Sequence, residues 1–249
     1  METELQIQTV KRIAEDNLLA LKENPYPGRG IIVGVDESGK YLIQVYWIMG
    51  RSENSRNRIF VWKQGDVLKT VAADPKKVKD PSLIIYTAMA EKRDRYVVSN
   101  GEQTMDALSK EGLGKAIMPW EYEPDAPNFT PRITATFDLS RGCSLAEMSI
   151  LKKSPLSDQC NEHFYRLPLS ISSSGLGYCL TTYSGDGNPL PSFQGDPYLL
   201  PLLGDINSVA QTIWDALNED NRVSLAVKFI SIVARQTLMK IINKYSAVD

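Results

Sequence analysis

The chain has 249 residues, with 28 Lys+Arg against 30 Asp+Glu, a net charge of −2 and a single histidine. A hydrophobic share of 43% and a charged share of 23% fit a globular protein long enough to bury a substantial core. Balanced charge supplies no broad basic field for nucleic acid or an anionic membrane, and one histidine excludes sites built from two or more histidines of one chain, such as the His-Glu-x-x-His zinc helix.

The three cysteines, Cys143, Cys160 and Cys179, are too far apart for a Cys-x-x-Cys clamp. Their odd number argues against a disulfide framework and for a reducing compartment. The acidic start, Met1-Glu2-Thr3-Glu4, has no apolar signal core, and no apolar run approaches the ~20 residues of a membrane span. The expectation is a cytoplasmic protein without metal, membrane or nucleic-acid partners.

In chain order, residues 2–22 place Val10, Ile13, Ala14, Asn17, Leu18 and Leu21 on a helical period, which must stop before Asn24-Pro25-Tyr26-Pro27-Gly28. Gly30 to Val35 and Tyr41 to Met49 predict two strands around the turn Asp36-Glu37-Ser38-Gly39. Arg58 to Trp62 and Lys69 to Ala72 predict shorter strands, and Pro81 to Met89 is ambiguous, a helix opening near Pro81 being one reading. Arg95 to Ser99 predicts a strand and Gln103 to Lys110 a helix. The stretch from Pro119 to Pro131 holds four prolines and is a loop. Strands are predicted at Ile133 to Phe137, Leu145 to Leu151, Phe164 to Leu169 and Leu176 to Tyr183, with a long loop over Ser184 to Pro201. Asp205 caps a helix through Leu217, and residues 222–244, apolar on several sides, are read as a longer helix. Helices at both ends with strands between predict one α+β domain over 1–249: an N-terminal helix (1–23), a core (24–203) and C-terminal helices (204–249).

The densest polar cluster is Gly50-Arg51-Ser52-Glu53-Asn54-Ser55-Arg56-Asn57-Arg58. Guanidinium groups match phosphate or carboxylate oxygens, and Ser, Asn and Gly let further donors approach the same anion. A solvated polar loop is the equal alternative. Arg29 is flanked by glycines at a strand start, which permits close approach of a ligand or simply makes a turn. Asn100-Gly101 ends a strand, first of all as a turn dipeptide. Tyr122-Glu123 and Thr130-Pro131-Arg132 bracket the proline-rich loop, as an acid/base pair or, more commonly, as a surface Arg–Glu pair. His163 and Cys143 lack partners in the sequence around them and are not taken as site residues.

Together these segments resemble the archaeal-type IMP cyclohydrolase family. Gly28-Arg29 opens the first strand as in that family, and Arg51-Ser52 with Asn54-Ser55-Arg56 is similar to its Arg-Ser-Phe-Pro-Asn-Arg loop, with Glu53-Asn54-Ser55 replacing Phe-Pro-Asn. Pro81-Ser82-Leu83-Ile84-Ile85-Tyr86 resembles its Asn-Pro-Tyr-Ile-Ala-Tyr segment, and Val97-Val98-Ser99-Asn100-Gly101 is the same string. Tyr122-Glu123, Asn128 and Thr130-Pro131-Arg132-Ile133 follow its Tyr-Glu…Asn-Thr-Pro-Arg-Ile stretch, and Thr182-Tyr183 is a further match.

The resemblance implies a four-layer α-β-β-α sandwich like that of N-terminal-nucleophile hydrolases, with extra helices at both ends. It implies dehydrative ring closure of 5-formamidoimidazole-4-carboxamide ribotide to inosine monophosphate without a cofactor, and assembly as a tetramer or dimer. Tyr86, Glu123 and Arg56 are then the catalytic candidates, and Arg29, Arg51, Arg58, Asn100, Gly101, Arg132 and Tyr183 the substrate-binding ones. The alternatives are a purine-nucleotide or phosphoribosyl-ligand binding protein without turnover, and an amidohydrolase exposing a new nucleophile by cleavage before Cys143.

Overall fold

The computed structural model describes residues 2–63, 67–78, 81–141, 145–169 and 174–247. Cys143 lies outside the described residues. The elements in chain order are α1 (Glu2–Glu23), β1 (Gly30–Val35), β2 (Tyr41–Met49), the one-turn α2 (Glu53–Arg56), β3 (Ile59–Lys63), β4 (Val67–Val71), β5 (Thr87–Lys92), β6 (Arg95–Ser99), α3 (Gln103–Ser109), α4 (Leu113–Ile117), β7 (Arg132–Asp138), β8 (Leu145–Lys153), β9 (Cys160–Pro168), β10 (Leu176–Thr181), β11 (Tyr198–Pro201), α5 (Ile206–Ala216), β12 (Arg222–Ser231) and β13 (Thr237–Asn243). They form two antiparallel sheets, ordered β11-β10-β1-β2-β12-β13 and β3-β4-β5-β6-β7-β8-β9.

Side-chain alternation builds the layers. On β2, Leu42, Tyr46 and Ile48 point into the cluster shared with the seven-stranded sheet, where Val98, Ile133, Ala135 and Met148 meet them. Ile43, Val45, Trp47 and Met49 point the other way, against Leu21 of α1 and Val209, Ala210 and Ile213 of α5. Both faces of β1 and β2 are therefore covered, which is why Gly30 to Met49 reads as near-continuous apolar runs. On the far side of the seven-stranded sheet, Ala107 of α3 and Leu113, Ala116 and Ile117 of α4 pack on Val97 and Leu151. Asp205 caps α5 as expected, its carboxylate accepting from the Ser208 backbone N–H at 2.8 Å.

One expected helix is absent, and the ambiguous segment from Pro81 does not form one. Residues 222–244 form β12 and β13, and β12 pairs along its length with β2 in the register Lys228↔Gln44 and Ala226↔Tyr46. A short apolar run carries no period that separates a buried strand from a buried helix. Here the open edge of β2, covered on both faces, takes Val223 to Ile230 as a strand. The C-terminal helices thus reduce to α5 alone. From Pro81, a single turn forms, with the Ile84 and Ile85 N–H groups donating to the Pro81 carbonyl. Pairing then captures the chain, the Thr70 N–H donating to the Tyr86 carbonyl at 3.0 Å. Within the expected loop over 184–201, Tyr198–Pro201 adds β11 to the edge of the six-stranded sheet.

Candidate active site

Five stretches converge at one end of the sheets: the entry to β1, the β2–β3 connection, the turn before β5 with Leu83 and Ile84, the proline-rich loop before β7, and the loop after β10. They enclose a cavity of about 370 Å³ lined by, among others, Tyr26, Arg29, Arg51, Ser52, Ser55, Arg58, Glu123, Asp125, Thr130 and Tyr183. That size falls within the ~300–1,000 Å³ of small-molecule sites.

Gly28 sets the entry. Its φ is +73°, and a Cβ there would come within 2.2 Å of Thr182 Oγ1 and 2.4 Å of the Tyr183 ring. The close approach lets the Arg29 N–H donate to Thr182 Oγ1 and the Thr182 N–H to the Arg29 carbonyl, which turns the Arg29 side chain inward. The Arg29 guanidinium then meets Glu123 with two parallel bonds, Nη1 to Oε1 at 2.8 Å and Nη2 to Oε2 at 2.5 Å, and Nη1 also donates to the Asn100 carbonyl. Arg132 Nη1 stands 3.8 Å from Glu123 Oε1. Burial pushes the Glu123 carboxyl above its ordinary range, while the Arg29 and Arg132 guanidinium groups pull against it.

Further lining comes from the arginine loop. Ser52 and Ser55 form a reciprocal capping box on the single turn of α2. Arg58 is buried, with Nε donating to the Ser55 carbonyl and Nη2 to the Met49 carbonyl. Arg51 is exposed; it is paired with Asp186, donates to the Gly187 carbonyl, and lies 5.0 Å from the centre of the Tyr26 ring. Burial raises the Tyr26 hydroxyl, and Arg58, Arg29 and Arg51 pull it back.

Arg29, Arg51, Arg58, Glu123 and Tyr183 are therefore brought to one cavity, and the remaining candidates are placed behind or away from it. Arg56 is turned out: Nε donates to the Gly50 carbonyl and Nη2 to Asn221 Oδ1, and the residue lines a different cleft with Lys77 and Tyr245. Asn100 has no exposed surface, and its side-chain amide works internally, donating to the Pro131 carbonyl and accepting from the Ile133 N–H and Gln103 Nε2. It ties the β6 terminus to the start of β7 and aims its own carbonyl at Arg29, a supporting role in place of the expected base contact. Gly101 makes room for Arg132, since a Cβ would come within 2.4 Å of Arg132 Nη1. Arg132 bonds Gln103 Oε1 and lies over the Trp120 ring. The Tyr86 hydroxyl sits in the inter-sheet core, 2.6 Å from that of Tyr46, and does not line the cavity.

Sequence reasoning missed Tyr26, Asp125 and Thr130 as site residues. All lie in segments already marked by prolines, but a proline-rich loop does not disclose which side chains turn inward. The Tyr183 hydroxyl is 2.5 Å from Thr130 Oγ1, and Thr130 bonds both oxygens of Asp125. Burial raises the Tyr183 hydroxyl well above its ordinary value. His163 lies exposed on β9, an edge strand.

No helix of the described residues is long and apolar enough to cross a membrane. A comparison with curated proteins finds no match. A family model described as IMP cyclohydrolase-like protein matches residues 26–234, a span that includes every residue lining the cavity. The chain belongs to the IMP cyclohydrolase-like family.

Proposed function

We propose that the protein is an IMP cyclohydrolase, closing the ring of 5-formamidoimidazole-4-carboxamide ribotide to inosine monophosphate with loss of water. What carries the reading is one cavity, within the family match, lined by arginines and hydroxyls together with a buried carboxylate between guanidinium groups. Arg51, Arg58, Ser52 and Ser55 receive the 5′-phosphate, a dianion suited to guanidinium forks and hydroxyl donors. Arg29 and Glu123 face the reacting carboxamide and formamide.

The nucleophile and electrophile belong to one molecule, so holding the reactive rotamer replaces a bimolecular encounter. Attack of the carboxamide nitrogen on the formyl carbon builds negative charge on the formyl oxygen, which Arg29 stabilises electrostatically. Two protons leave nitrogen and two reach the departing oxygen, with no change in oxidation level. Glu123, a carboxyl raised by burial, exchanges one of those protons. Arg56 and Tyr86 are omitted from these roles because neither lines the cavity. Two sheets between helices support the likeness to N-terminal-nucleophile hydrolases as one of fold. A cytoplasmic place in purine synthesis follows from the same reading.

The test is direct. Purified protein mixed with the formamido ribotide is expected to form inosine monophosphate, and Glu123→Gln to lower kcat by ~10²–10⁴-fold, the usual worth of a positioned acid or base. A protein that is stabilised thermally by inosine monophosphate but forms none would be a nucleotide-binding protein instead.

A further inference from the structure

Counting protons along Asp125, Thr130 and Tyr183 gives this cavity a second proton-carrying group. Asp125 accepts at both oxygens, from the Thr130 N–H at 2.6 Å and from the Thr130 hydroxyl. Thr130 has one hydroxyl proton, and it is engaged with Asp125. In the 2.5 Å contact between Thr130 Oγ1 and Tyr183 Oη, the donor must therefore be Tyr183. The bonds run in one direction, from Tyr183 through Thr130 to Asp125, and all three residues line the cavity. Tyr183 Oη thus retains only lone pairs to offer a ligand.

Resting on the cyclohydrolase reading above, we propose that Tyr183, Thr130 and Asp125 form a proton relay that takes the carboxamide proton during ring closure. As the N–C bond forms, that proton passes to Tyr183 Oη, the Tyr183 proton passes to Thr130 Oγ1, and the Thr130 proton passes to Asp125 Oδ2. The reverse shift returns a proton to the formyl oxygen and makes a hydroxyl. Glu123 takes the proton of the former formamide N–H and delivers it to that hydroxyl, which leaves as water while the C=N bond forms at that nitrogen. Each group takes one proton and gives one, so both end as they began.

The geometry places the relay beside Glu123. The Thr130 carbonyl accepts the Glu123 N–H at 2.8 Å, so one residue holds the backbone of the carboxylate and the middle of the relay. The Tyr183 ring is fixed by stacking on Tyr26, with centroids 6.1 Å apart at 23°. The relay explains why a hydroxyl lies between a tyrosine and an aspartate that already share the cavity wall.

The experiment is a kinetic cycle on the full chain with the formamido ribotide, comparing Thr130→Val, Thr130→Ser, Tyr183→Phe and the Tyr183→Phe/Thr130→Val double variant. Thr130→Val and Tyr183→Phe are each expected to lower kcat by about 10²-fold with KM changed less than about threefold, and the double variant to be no worse than Tyr183→Phe alone. Thr130→Ser restores kcat. A merely structural Thr130 predicts a different pattern, in which losses multiply in the double variant and Tyr183→Phe, which leaves the Thr130–Asp125 bonds intact, stays active. That pattern, or a Thr130→Val enzyme with the parent's kcat, overturns the relay. Melting temperatures accompany each variant; should Thr130→Val fail to fold, Tyr183→Phe decides alone, full kcat overturning the relay. A parent protein that forms no inosine monophosphate defeats the cyclohydrolase reading, and the relay with it. An active parent with unaffected variants defeats the relay only.

Discussion

Two arginine–carboxylate pairs bring an arginine to one cavity and do different things. In the Arg29–Glu123 pair the side chains are 10% and 2% exposed, and in the Arg51–Asp186 pair 37% and 47%. Taking the first pair out of water carries a large desolvation penalty, offset only because the fork is bidentate and Asn100 and Arg132 supply further partners. The second pair stays solvated, so its net attraction is small. The difference separates their uses. A buried carboxylate poised between desolvation and two guanidinium groups is suited to proton exchange. An exposed guanidinium, whose pairing with Asp186 contributes little net attraction in water, is suited to exchange that partner for an incoming phosphate.

Breaking the buried pair tests the contrast most severely. Arg29→Met leaves Glu123 buried with Arg132 alone nearby, and urea unfolding is expected to report a loss of about 3–5 kcal/mol. The double change Arg29→Met with Glu123→Leu should recover most of that stability and none of the turnover. A stable single variant would mean that the pair is not buried in solution as it is here.

In the exposed pair, Arg51→Ala is expected to alter stability by less than about 1 kcal/mol. The same change should raise KM for the ribotide by about tenfold and leave binding of the phosphate-free nucleoside unchanged, consistent with loss of a charge-assisted phosphate contact. An equal effect on ribotide and nucleoside would move Arg51 from the phosphate to the base.

The smallest effect is one of pH. Because burial holds the folded Glu123 carboxyl above its ordinary value of 4.5, the native state binds more protons than the unfolded chain in the window just above that value. Stability from this group therefore falls as pH rises through the window and levels off above the folded value. The stability of the parent minus that of Glu123→Gln should follow that downward course. A difference rising with pH would show that the two arginines outweigh desolvation.

The two pairs also differ in how far they were legible. The arginine loop declared itself as a dense local run of Arg, Ser and Asn, and Arg51 and Arg58 do reach the cavity. Arg56, in the same run, does not, because α2 is a single turn and rotates its side chain toward Asn221. Glu123 and Arg29 are 94 residues apart in sequence, and nothing local pairs them. Asn100 was visible as a residue of interest, but its work is internal: it holds β7 and Arg29 in place. Tyr86 was visible too, and the packing of the sheets placed its hydroxyl against Tyr46, outside the cavity lining.

For the fold, breakers and periodicity by themselves determined α1, the β1–β2 hairpin, β6, α3 and the capped α5, since each depends on turn chemistry, a cap or a face that repeats along the chain. Residues 222–244 and 81–89 were decided only by the tertiary structure. Their apolar residues satisfy a buried helix and a buried strand alike, and the choice fell to backbone partners, β2 for the one and Thr70 for the other. The site divides the same way. Residue types and their order along the chain pointed to an anion and a proton to be moved. Which oxygen accepts from which hydroxyl is a matter of angstroms between remote segments, set only when the sheets pack.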